Sequence, residues 1–525
     1  MSVHLCFSRT YSLAACVLVS CTASVVLAQP PLVPFLMESQ PTSAGSISGI
    51  RTVVITPDGG LAVQLRITGP NGMSHDAVWG RGGGSTANGL MLVADGQGSP
   101  HIITSMERSF GVDEAGVVTW SGMLESGGCN ALGSIGSLDC VVRSNVVLGA
   151  EQMAVGPGFT AVWRDMGGVG STGLGGAYWT GGQSSPGFGP VTTRGLYRFD
   201  AFASEVVGVV LPGDSVIGLP TSARTVAQVR SGRVGWNEDF AYSIVEIAGA
   251  MAQRGQLVKT TGLSPPSQSA VKIGGQLVRE GDLIGGHHVL SGERWSRLST
   301  PVLSQGSMGL WAMSARSDAP DDRDELVVVG GLPFGADGIA FREGSTLAGE
   351  TILGPVEHLA CNSSGDVAMI WRIDQNTRKA LYLNSGLLAI QGGLVLIPGN
   401  APGAPPISGR LTNFPGVQAV ALRDKDANGM VKVCFVATVE VVDGSSINTG
   451  QDYRFDALFE VEIVPTPGVP ICAADFNGTG GTTVQDIFDF LAAYFSTDPR
   501  ADFNGVGGVT VQDIFDFLTA YFTGC

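Results

Sequence analysis

The sequence predicts an all-β body followed by a small α-helical module at the C-terminus. Short β-branched and aromatic runs such as GLAVQLRIT (60–68) and DFAYSIVEI (239–247) recur from residue 29 onward, separated by Gly, Asp, Asn and Pro. Glycine makes up 76 of 525 residues and charged residues only 14%, a composition typical of short strands joined by tight turns. The last residues instead contain two near-identical copies of one loop and helix pattern.

Weak internal repeats favour a β-propeller-like body of about seven blades. REGDLIGG at Arg279 recurs as REGSTLAG at Arg342, 63 residues later, and YRFDA at Tyr197 recurs at Tyr453, 256 residues later. One period of about 63 residues explains both spacings and divides residues 29–463 into roughly seven units, each long enough for a four-stranded sheet. The alternative is that both matches arose by chance in a sandwich or in paired β-domains.

The C-terminal copies begin at Asp475 and Asp502, 27 residues apart, and each opens with a twelve-residue calcium-loop pattern. In that pattern, oxygen-bearing residues occupy positions 1, 3, 5 and 12, glycine at position 6 permits a sharp turn, and position 7 offers a backbone carbonyl. The predicted metal ligands are Asp475, Asn477, Thr479, Gly481 and Asp486 in the first loop, and Asp502, Asn504, Gly508 and Asp513 in the second. Because Val506 at position 5 has no side-chain oxygen, the second loop is expected to bind calcium more weakly.

A helix is predicted after each loop. Apolar residues at offsets 0, 1, 4, 7 and 8 define one helical face, which we expect to be buried. These residues are Ile487, Phe488, Leu491, Tyr494 and Phe495 in the first helix, and Ile514, Phe515, Leu518, Tyr521 and Phe522 in the second. Asp486 and Asp513 stand at the helix starts, where a carboxylate also complements the helix dipole.

The paired loops and helices of residues 472–525 resemble a type I dockerin, a related form of the EF-hand. The resemblance implies a calcium-folded module that attaches a secreted protein to a cohesin-like or other cell-surface protein. The sequence departs from the family at position 5, where Thr479 and Val506 replace the usual Asp. A degenerate loop pair that only packs is the alternative. We expect Asp475→Ala to weaken calcium-dependent ordering more than Asp502→Ala, since the first loop retains an oxygen at position 5.

The N-terminal segment predicts export of the protein. Arg9 precedes an apolar run from Leu13 to Leu27, so residues 1–28 are assigned as a signal peptide with cleavage after Ala28. The stretch ending at Cys21 also matches a lipobox, which makes a lipid anchor the alternative, but the apolar run continues past Cys21 and favours simple secretion.

Residues 29–463 then form the body and the proline-rich residues 464–471 a stiff linker. No later stretch is long and apolar enough to span a membrane.

Six cysteines remain after removal of the signal peptide. Two pairs are candidates for disulfides in an oxidising compartment, one because its cysteines are close in the sequence and the other because its cysteines bracket the C-terminal module. These pairs are Cys129 with Cys140 and Cys472 with Cys525, and the remaining Cys361 and Cys434 are a third, weaker pairing. No CxxC motif supports a zinc or redox site.

Other motifs in the body favour structural interpretations. Gly168, Gly170 and Gly173 form a GxGxxG without a following helix, so a flexible loop is predicted and a dinucleotide site is not. The series from Asp424 to Gly429 matches half a calcium loop, but Asn-Gly between strands favours a hairpin turn. No GxSxG or HExxH motif is present.

The predicted function is that of a secreted, non-catalytic binding or surface protein with a calcium-dependent C-terminal module for assembly or anchoring. A net charge of −16 excludes nucleic acid as a partner, because little basic charge is available to neutralise phosphates. The alternative is an extracellular polysaccharide-degrading hydrolase that carries a dockerin-like tail, with a carboxylate pair near the mouth of the propeller.

Overall fold

The computed structural model describes most of the chain from Leu32 onward. The described residues are 32–55, 60–81, 89–93, 103–112, 118–124, 127–134, 137–143, 162–173, 176–184, 193–200, 205–219, 224–249, 254–262, 265–286, 289–290, 292–305, 309–331, 338–374, 378–399, 404–415, 418–441, 454–466, 474, 476, 484–498, 501–503 and 508–523. The predicted signal peptide and Cys21 lie outside them.

The first strand, β1 (Pro34–Met37), belongs to a sheet formed otherwise by the last strands of the body. Six further sheets each come from one continuous segment of the chain. The first contains β2 (Pro41–Thr42), β3 (Gly45–Ile55), β4 (Leu61–Thr68), β5 (Ser74–Arg81) and β6 (Gly89–Val93). The second contains β7 (Ile103–Val112), β8 (Val118–Leu124), β9 (Gly127–Ser134) and β10 (Ser137–Arg143). The third contains β11 (Val162–Ser171), β12 (Ala177–Ser184), β13 (Thr193–Asp200) and β14 (Glu205–Val210).

The remaining sheets follow in chain order, with a two-stranded ribbon after the fourth and after the fifth. The fourth contains β15 (Val216–Ile217), β16 (Val226–Val234), β17 (Phe240–Ile247), β18 (Gly255–Thr261) and β19 (Ser267–Ala270), followed by the ribbon β20 (Lys272–Ile273) and β21 (Gln276–Leu277). The fifth contains β22 (Trp295–Leu298), β23 (Val302–Leu303), β24 (Trp311–Ser317), β25 (Glu325–Gly330) and β26 (Gly338–Arg342), followed by the ribbon β27 (Thr346–Leu347) and β28 (Glu350–Thr351). The sixth contains β29 (Val356–Cys361), β30 (Val367–Arg372), β31 (Lys379–Leu383) and β32 (Gly386–Ile390).

The closing sheet joins β1 to β33 (Leu394–Ile397), β34 (Ile407–Asn413), β35 (Val420–Leu422), β36 (Val431–Val441) and β37 (Arg454–Ile463). Two helices follow it, α1 (Val484–Phe495) and α2 (Val511–Thr523). In the part of the chain that the structure describes, neither helix has the length and apolarity needed to cross a bilayer.

The sheets contact one another in sequence and form a ring. Contacts link β3 to β7, β7 to β11, β13 to β16, β18 to β22, β24 to β29 and β29 to β35, and β35 returns to β3. Strands in the middle of a sheet are covered on both faces, which explains why β17 and β25 are buried at every position. The predicted all-β, propeller-like body is therefore confirmed.

The predicted count of about seven equal repeat units is slightly off. Six sheets are single-segment units, whereas the closing sheet is a composite in which Leu36 of β1 lies opposite Leu458 of β37. The period is also uneven, because the equivalent turns at Gly213, Gly281, Gly344 and Gly392 are separated by 68, 63 and 48 residues. Only one interval matches the spacing read from the sequence.

The REG repeat marks a recurring turn between neighbouring sheets. The Glu280 amide donates to the Gly255 carbonyl at 2.9 Å, and the Gly255 amide donates back to the Glu280 carboxylate at 2.7 Å. Glu343 makes the same pair of bonds with Glu325, at 2.9 and 3.3 Å. The same exchange joins Glu38 to Asp456 and Gln391 to Lys379. Each carboxyl or amide group thus satisfies a strand-end amide that would otherwise lack a partner.

The glycine that follows each REG glutamate is required by the backbone. Gly281 and Gly344 have φ values of 82° and 84°, in the left-handed region that side chains with a Cβ avoid. The amide of each glycine donates to a carbonyl across the turn. Gly281 donates to the Trp295 carbonyl at 2.6 Å, and Gly344 donates to the Ile352 carbonyl at 2.8 Å. The sequence repeat is therefore a repeat of backbone geometry.

Candidate functional site

The two C-terminal helices pack through stacked phenylalanines. The rings of Phe490 and Phe517 are parallel, with centroids 4.2 Å apart and an interplanar angle of 1°. Phe476 and Phe503 meet this stack edge-on in matching positions, with centroids 5.4 Å from Phe490 and 5.6 Å from Phe517 respectively. The duplicated sequence therefore forms a single core in which equivalent residues of the two copies make equivalent contacts.

The predicted buried face of the helices is wrong in part. Phe488 and Phe495 are 61% and 78% exposed, and Phe515 and Phe522 are 59% and 78% exposed. The buried residues of α1 are instead Asp486, Phe490 and Ala493, and each lies about one helical turn after the one before it. Because Asp486 must face the preceding loop, the residues four and seven positions later share its side. Ile487, Leu491 and Tyr494 pack at the border of the core.

The carboxylates at the helix starts are buried. Asp486 and Asp513 are each 0% exposed. The amide and the hydroxyl of Thr510 both donate to Asp513 Oδ2, at 2.7 and 2.8 Å, so Thr510 and Asp513 close the first turn of α2 in the manner of a capping box. Burial of charged groups at both equivalent positions is costly unless they are compensated by hydrogen bonds or a cation.

Asp502, the first residue of the second loop, supplies a further acceptor. Its Oδ1 atom is buried and has no hydrogen-bond partner among the described residues. Gly508, the seventh residue of the loop, has a φ of 77°, in the left-handed region that glycine adopts easily. An orphaned carboxylate oxygen at the first position of the loop fits a hard cation.

The other predicted ligands, Asp475, Asn477, Thr479, Gly481 and Asn504, lie outside the described residues. Among the residues that the structure does describe, no three His, Cys, Asp or Glu side chains form a group that could hold a metal ion. Calcium binding by the two loops therefore stays a prediction.

A second candidate site lies at the centre of the ring. A cavity of about 280 Å³ is lined by residues from six of the sheets and by Gln418, which precedes β35 of the closing sheet. The lining includes Val54 and Ile55 of β3, Phe110 and Val112 of β7, Val169 and Ser171 of β11, Arg233 and Val234 of β16, Val302 and Leu303 of β23, Glu357 and His358 of β29, and Gln418 just before β35. The cavity is the central channel of the propeller.

The charges of the channel are unequally compensated. Glu357 bonds to Lys379 and Arg372, at 2.6 and 3.1 Å. Burial raises the pKa of Glu357, but the hydrogen bonds and charges of these two cations outweigh it, and the pKa is lowered overall. The Arg233 guanidinium instead donates to the carbonyl of Gly232 at 3.1 Å and has no carboxylate partner among the described residues. Among its described residues, the channel therefore presents one positive charge without a carboxylate partner.

Tyr178 and Trp236 stand beside this arginine and occupy space that glycines leave open. A Cβ on Gly170 would lie 2.2 Å from the Tyr178 ring, and a Cβ on Gly173 would lie 1.9 Å from Trp236. Burial raises the pKa of the Tyr178 phenol, and the charge of Arg233 offsets part of that rise. The phenol consequently keeps its proton at neutral pH and remains a hydrogen-bond donor.

The GxGxxG motif is not the predicted flexible loop. Gly168 and Gly170 lie within β11, and Gly173 follows it, where its amide donates to the Trp236 carbonyl at 2.7 Å. Gly170 and Gly173 make room for the aromatic rings of Tyr178 and Trp236. The hairpin predicted between β35 and β36 is confirmed, because Asp426 accepts the amides of Asn428 and Met430, each at 2.8 Å.

The predicted pairing of Cys361 and Cys434 is wrong. Both are buried free thiols, one on β29 and the other on β36. Cys361 donates to the Val302 carbonyl at 3.7 Å, and Cys434 lies 3.9 Å from Glu460 Oε2. Cys129 and Cys140 lie on the paired strands β9 and β10, where Cys129 is opposite Arg143 and Cys140 opposite Ala131. Cys472 and Cys525 lie outside the described residues.

A glycan hydrolase normally needs two carboxylates that flank the bond to be cleaved. Among the described residues that line the channel, Glu357 is the carboxylate, and Lys379 and Arg372 hold it. The hydrolase alternative stays a prediction.

Comparisons with known proteins give remote likenesses only. No protein-family model and no curated protein matches the chain. A structure from a study of two prolyl endopeptidases is 10% identical over 81% of this chain and 51% of that chain, with a TM-score of 0.38. Prolyl oligopeptidase B from Galerina marginata is 9% identical over 79% and 52%, with a TM-score of 0.38. The Cps50 (Swd1) β-propeller domain of Myceliophteria thermophila is 9% identical over 82% and 100%, with a TM-score of 0.36.

This chain spans about half the length of the two peptidases. At such identities and TM-scores, the likenesses say nothing about its activity.

Proposed function

We propose that the chain is an extracellular binding protein whose C-terminal module attaches its propeller body to a partner protein in a calcium-dependent manner. The observation that carries this proposal is the exposure of Phe488 and Phe515, equivalent residues of the two helices, beside a core that Phe490 and Phe517 already fill. Exposed aromatic side chains of this kind are typical anchors of protein interfaces.

Calcium would neutralise the carboxylates that the module buries. The first loop would hold the ion through Asp475, Asn477, Thr479, the carbonyl of Gly481 and Asp486. The second would use Asp502, Asn504, the carbonyl of Gly508 and Asp513. A bound divalent cation supplies positive charge to the buried oxygens of Asp502, Asp486 and Asp513, and thereby fixes each loop against the start of its helix.

A calcium titration of the full-length chain tests the metal site. We expect calcium to protect the C-terminal module from limited proteolysis, with half-protection at about 10⁻⁴ to 10⁻³ M, the range of extracellular modules. Asp475→Ala should raise this concentration more than Asp502→Ala, because Val506 already weakens the second loop. Asp489→Ala removes a carboxylate of α1 that lies outside both loops and serves as the matched control. Equal proteolysis of the wild-type chain in calcium and in chelator would contradict the metal site.

Attachment to the cell exterior tests the proposed role. Removal of residues 472–525 should abolish calcium-dependent retention on cells, while the body remains folded by circular dichroism. In the full-length chain, Phe488→Ala with Phe515→Ala should weaken retention by about thirtyfold, the effect of losing about 2 kcal/mol at an interface anchor. Asp489→Ala with Asp516→Ala changes the neighbouring helix positions and should leave retention unchanged. Retention that survives the deletion would exclude the module as the attachment site.

A further inference from the structure

The central channel has the features of a binding site that the C-terminal module does not explain. Its volume of about 280 Å³ is near the lower end of small-molecule pockets, which span about 300 to 1,000 Å³. The described wall combines aliphatic and aromatic side chains with polar groups such as those of Arg233, Ser304 and Gln305. A ligand that fits this space is therefore a small molecule with both an apolar and a polar part.

Three polar groups of the channel can donate hydrogen bonds to a ligand. Arg233 carries a guanidinium without a carboxylate partner among the described residues, and Tyr178 keeps its phenolic proton beside it. Ser304 also lines the channel, is 1% exposed, and has a buried hydroxyl with no hydrogen-bond partner in the described part of the chain. Buried polar groups normally have hydrogen-bond partners, and the described part of the protein supplies none for the Ser304 hydroxyl.

The acidic side of the channel does not compensate for this charge. Glu357 is committed to Lys379 and Arg372, and the Nδ1 atom of His358 accepts the Ala419 amide at 3.4 Å. A Cβ on Gly168 would lie 3.9 Å from Arg233 Nη1, so this neighbour of the guanidinium contributes no side-chain polar group. The positive charge of Arg233 is therefore available to a ligand.

From this geometry we propose that the central channel binds a small organic acid, with its carboxylate on Arg233 and its hydrocarbon body against the aliphatic part of the wall. A guanidinium matches the two oxygens of a carboxylate, and the Tyr178 and Ser304 hydroxyls can donate to them. The aliphatic part of the wall, which includes Val169, Val234 and Leu303, favours an acid with a hydrocarbon body over inorganic phosphate. This site is independent of the C-terminal module and of calcium.

Calorimetric titration of the full-length chain with 3-phenylpropanoate, its neutral amide and inorganic phosphate tests the proposal. We expect the acid to bind, and both the amide and phosphate to bind at least about tenfold more weakly, since hydrogen bonds to a charged group contribute about 1.5 to 3 kcal/mol. Arg233→Met should weaken binding of the acid by about tenfold to about a hundredfold. Arg254→Met replaces an arginine that is about half-exposed and should leave the affinity unchanged.

The comparison of acid with amide uses only the wild-type chain, so it decides the proposal even if Arg233→Met fails to fold. Absence of binding by the acid, equal affinities for acid and amide, or full affinity in folded Arg233→Met would each overturn the assignment. Phosphate binding as tightly as the acid would overturn the requirement for an apolar body. Affinity that is unchanged after removal of residues 472–525 separates this site from the attachment role of the module.

Discussion

Replacement of Phe517 by alanine is expected to unfold the C-terminal module while the propeller body stays folded. Phe517 is fully buried, stacks on Phe490 at 4.2 Å and meets the edge of Phe503 at 5.6 Å. Truncation of a buried phenylalanine costs about 3 to 5 kcal/mol. A unit of this size has a total stability of about 3 to 8 kcal/mol, so the loss removes most of it. The measurement is limited proteolysis in calcium, with the two parts of the chain followed separately by mass spectrometry.

Phe515→Ala is the matched control for Phe517→Ala. It removes the same side chain from the same helix, but Phe515 is 59% exposed, so the expected loss of stability is below about 0.5 kcal/mol. Equal protease sensitivity of the two variants would show that the stacked pair is not the core of the module.

Arg342→Met is expected to destabilise the body by about 3 to 5 kcal/mol. Arg342 Nη2 donates to Glu293 Oε2 at 2.6 Å, and the Glu293 side chain is only 1% exposed. Loss of the guanidinium leaves a buried carboxylate without its cation, which costs far more than the loss of a surface ion pair. The free energy of unfolding of the body, measured with urea, checks this expectation.

Two variants control for the loss of packing around Arg342. Arg454→Met breaks an ion pair with Glu440 whose arginine is 65% exposed, and should change stability by less than about 1 kcal/mol. Arg342→Met combined with Glu293→Gln removes both charges and should recover part of the lost stability. If the double variant is as unstable as Arg342→Met, packing and not charge is responsible.

The all-β body was predictable because its strands are short, β-branched and separated by turn residues. The REG repeat was also informative, since Gly281 and Gly344 adopt a backbone conformation that only glycine adopts easily. The size of each unit was not predictable. Insertions between turns change the spacing without changing the hydrogen bonds, and the composite sheet combines segments from opposite ends of the body.

The residues of the two candidate sites were only partly predictable from the sequence. In α1 nearly every third or fourth residue is apolar, so two overlapping faces fit the period equally well. Asp486 distinguishes them, because a loop ligand must point inward and Phe490 then shares its side. Arg233 and Ser304 gave no local signal, because the ring alone brings residues 71 positions apart into one cavity. Only the close glycines Gly170 and Gly173 hinted at bulky neighbours.

The composite closing sheet determines how the body bears mechanical load. The C-terminal segment leaves from β37, which is flanked on one side by β36 through ten paired residues and on the other by β1. A pull along this segment therefore shears two ladders of hydrogen bonds together and does not peel an edge strand. If flow or a moving partner strains the C-terminal connection, the strand that resists is paired on both sides, and one of its two partners is β1.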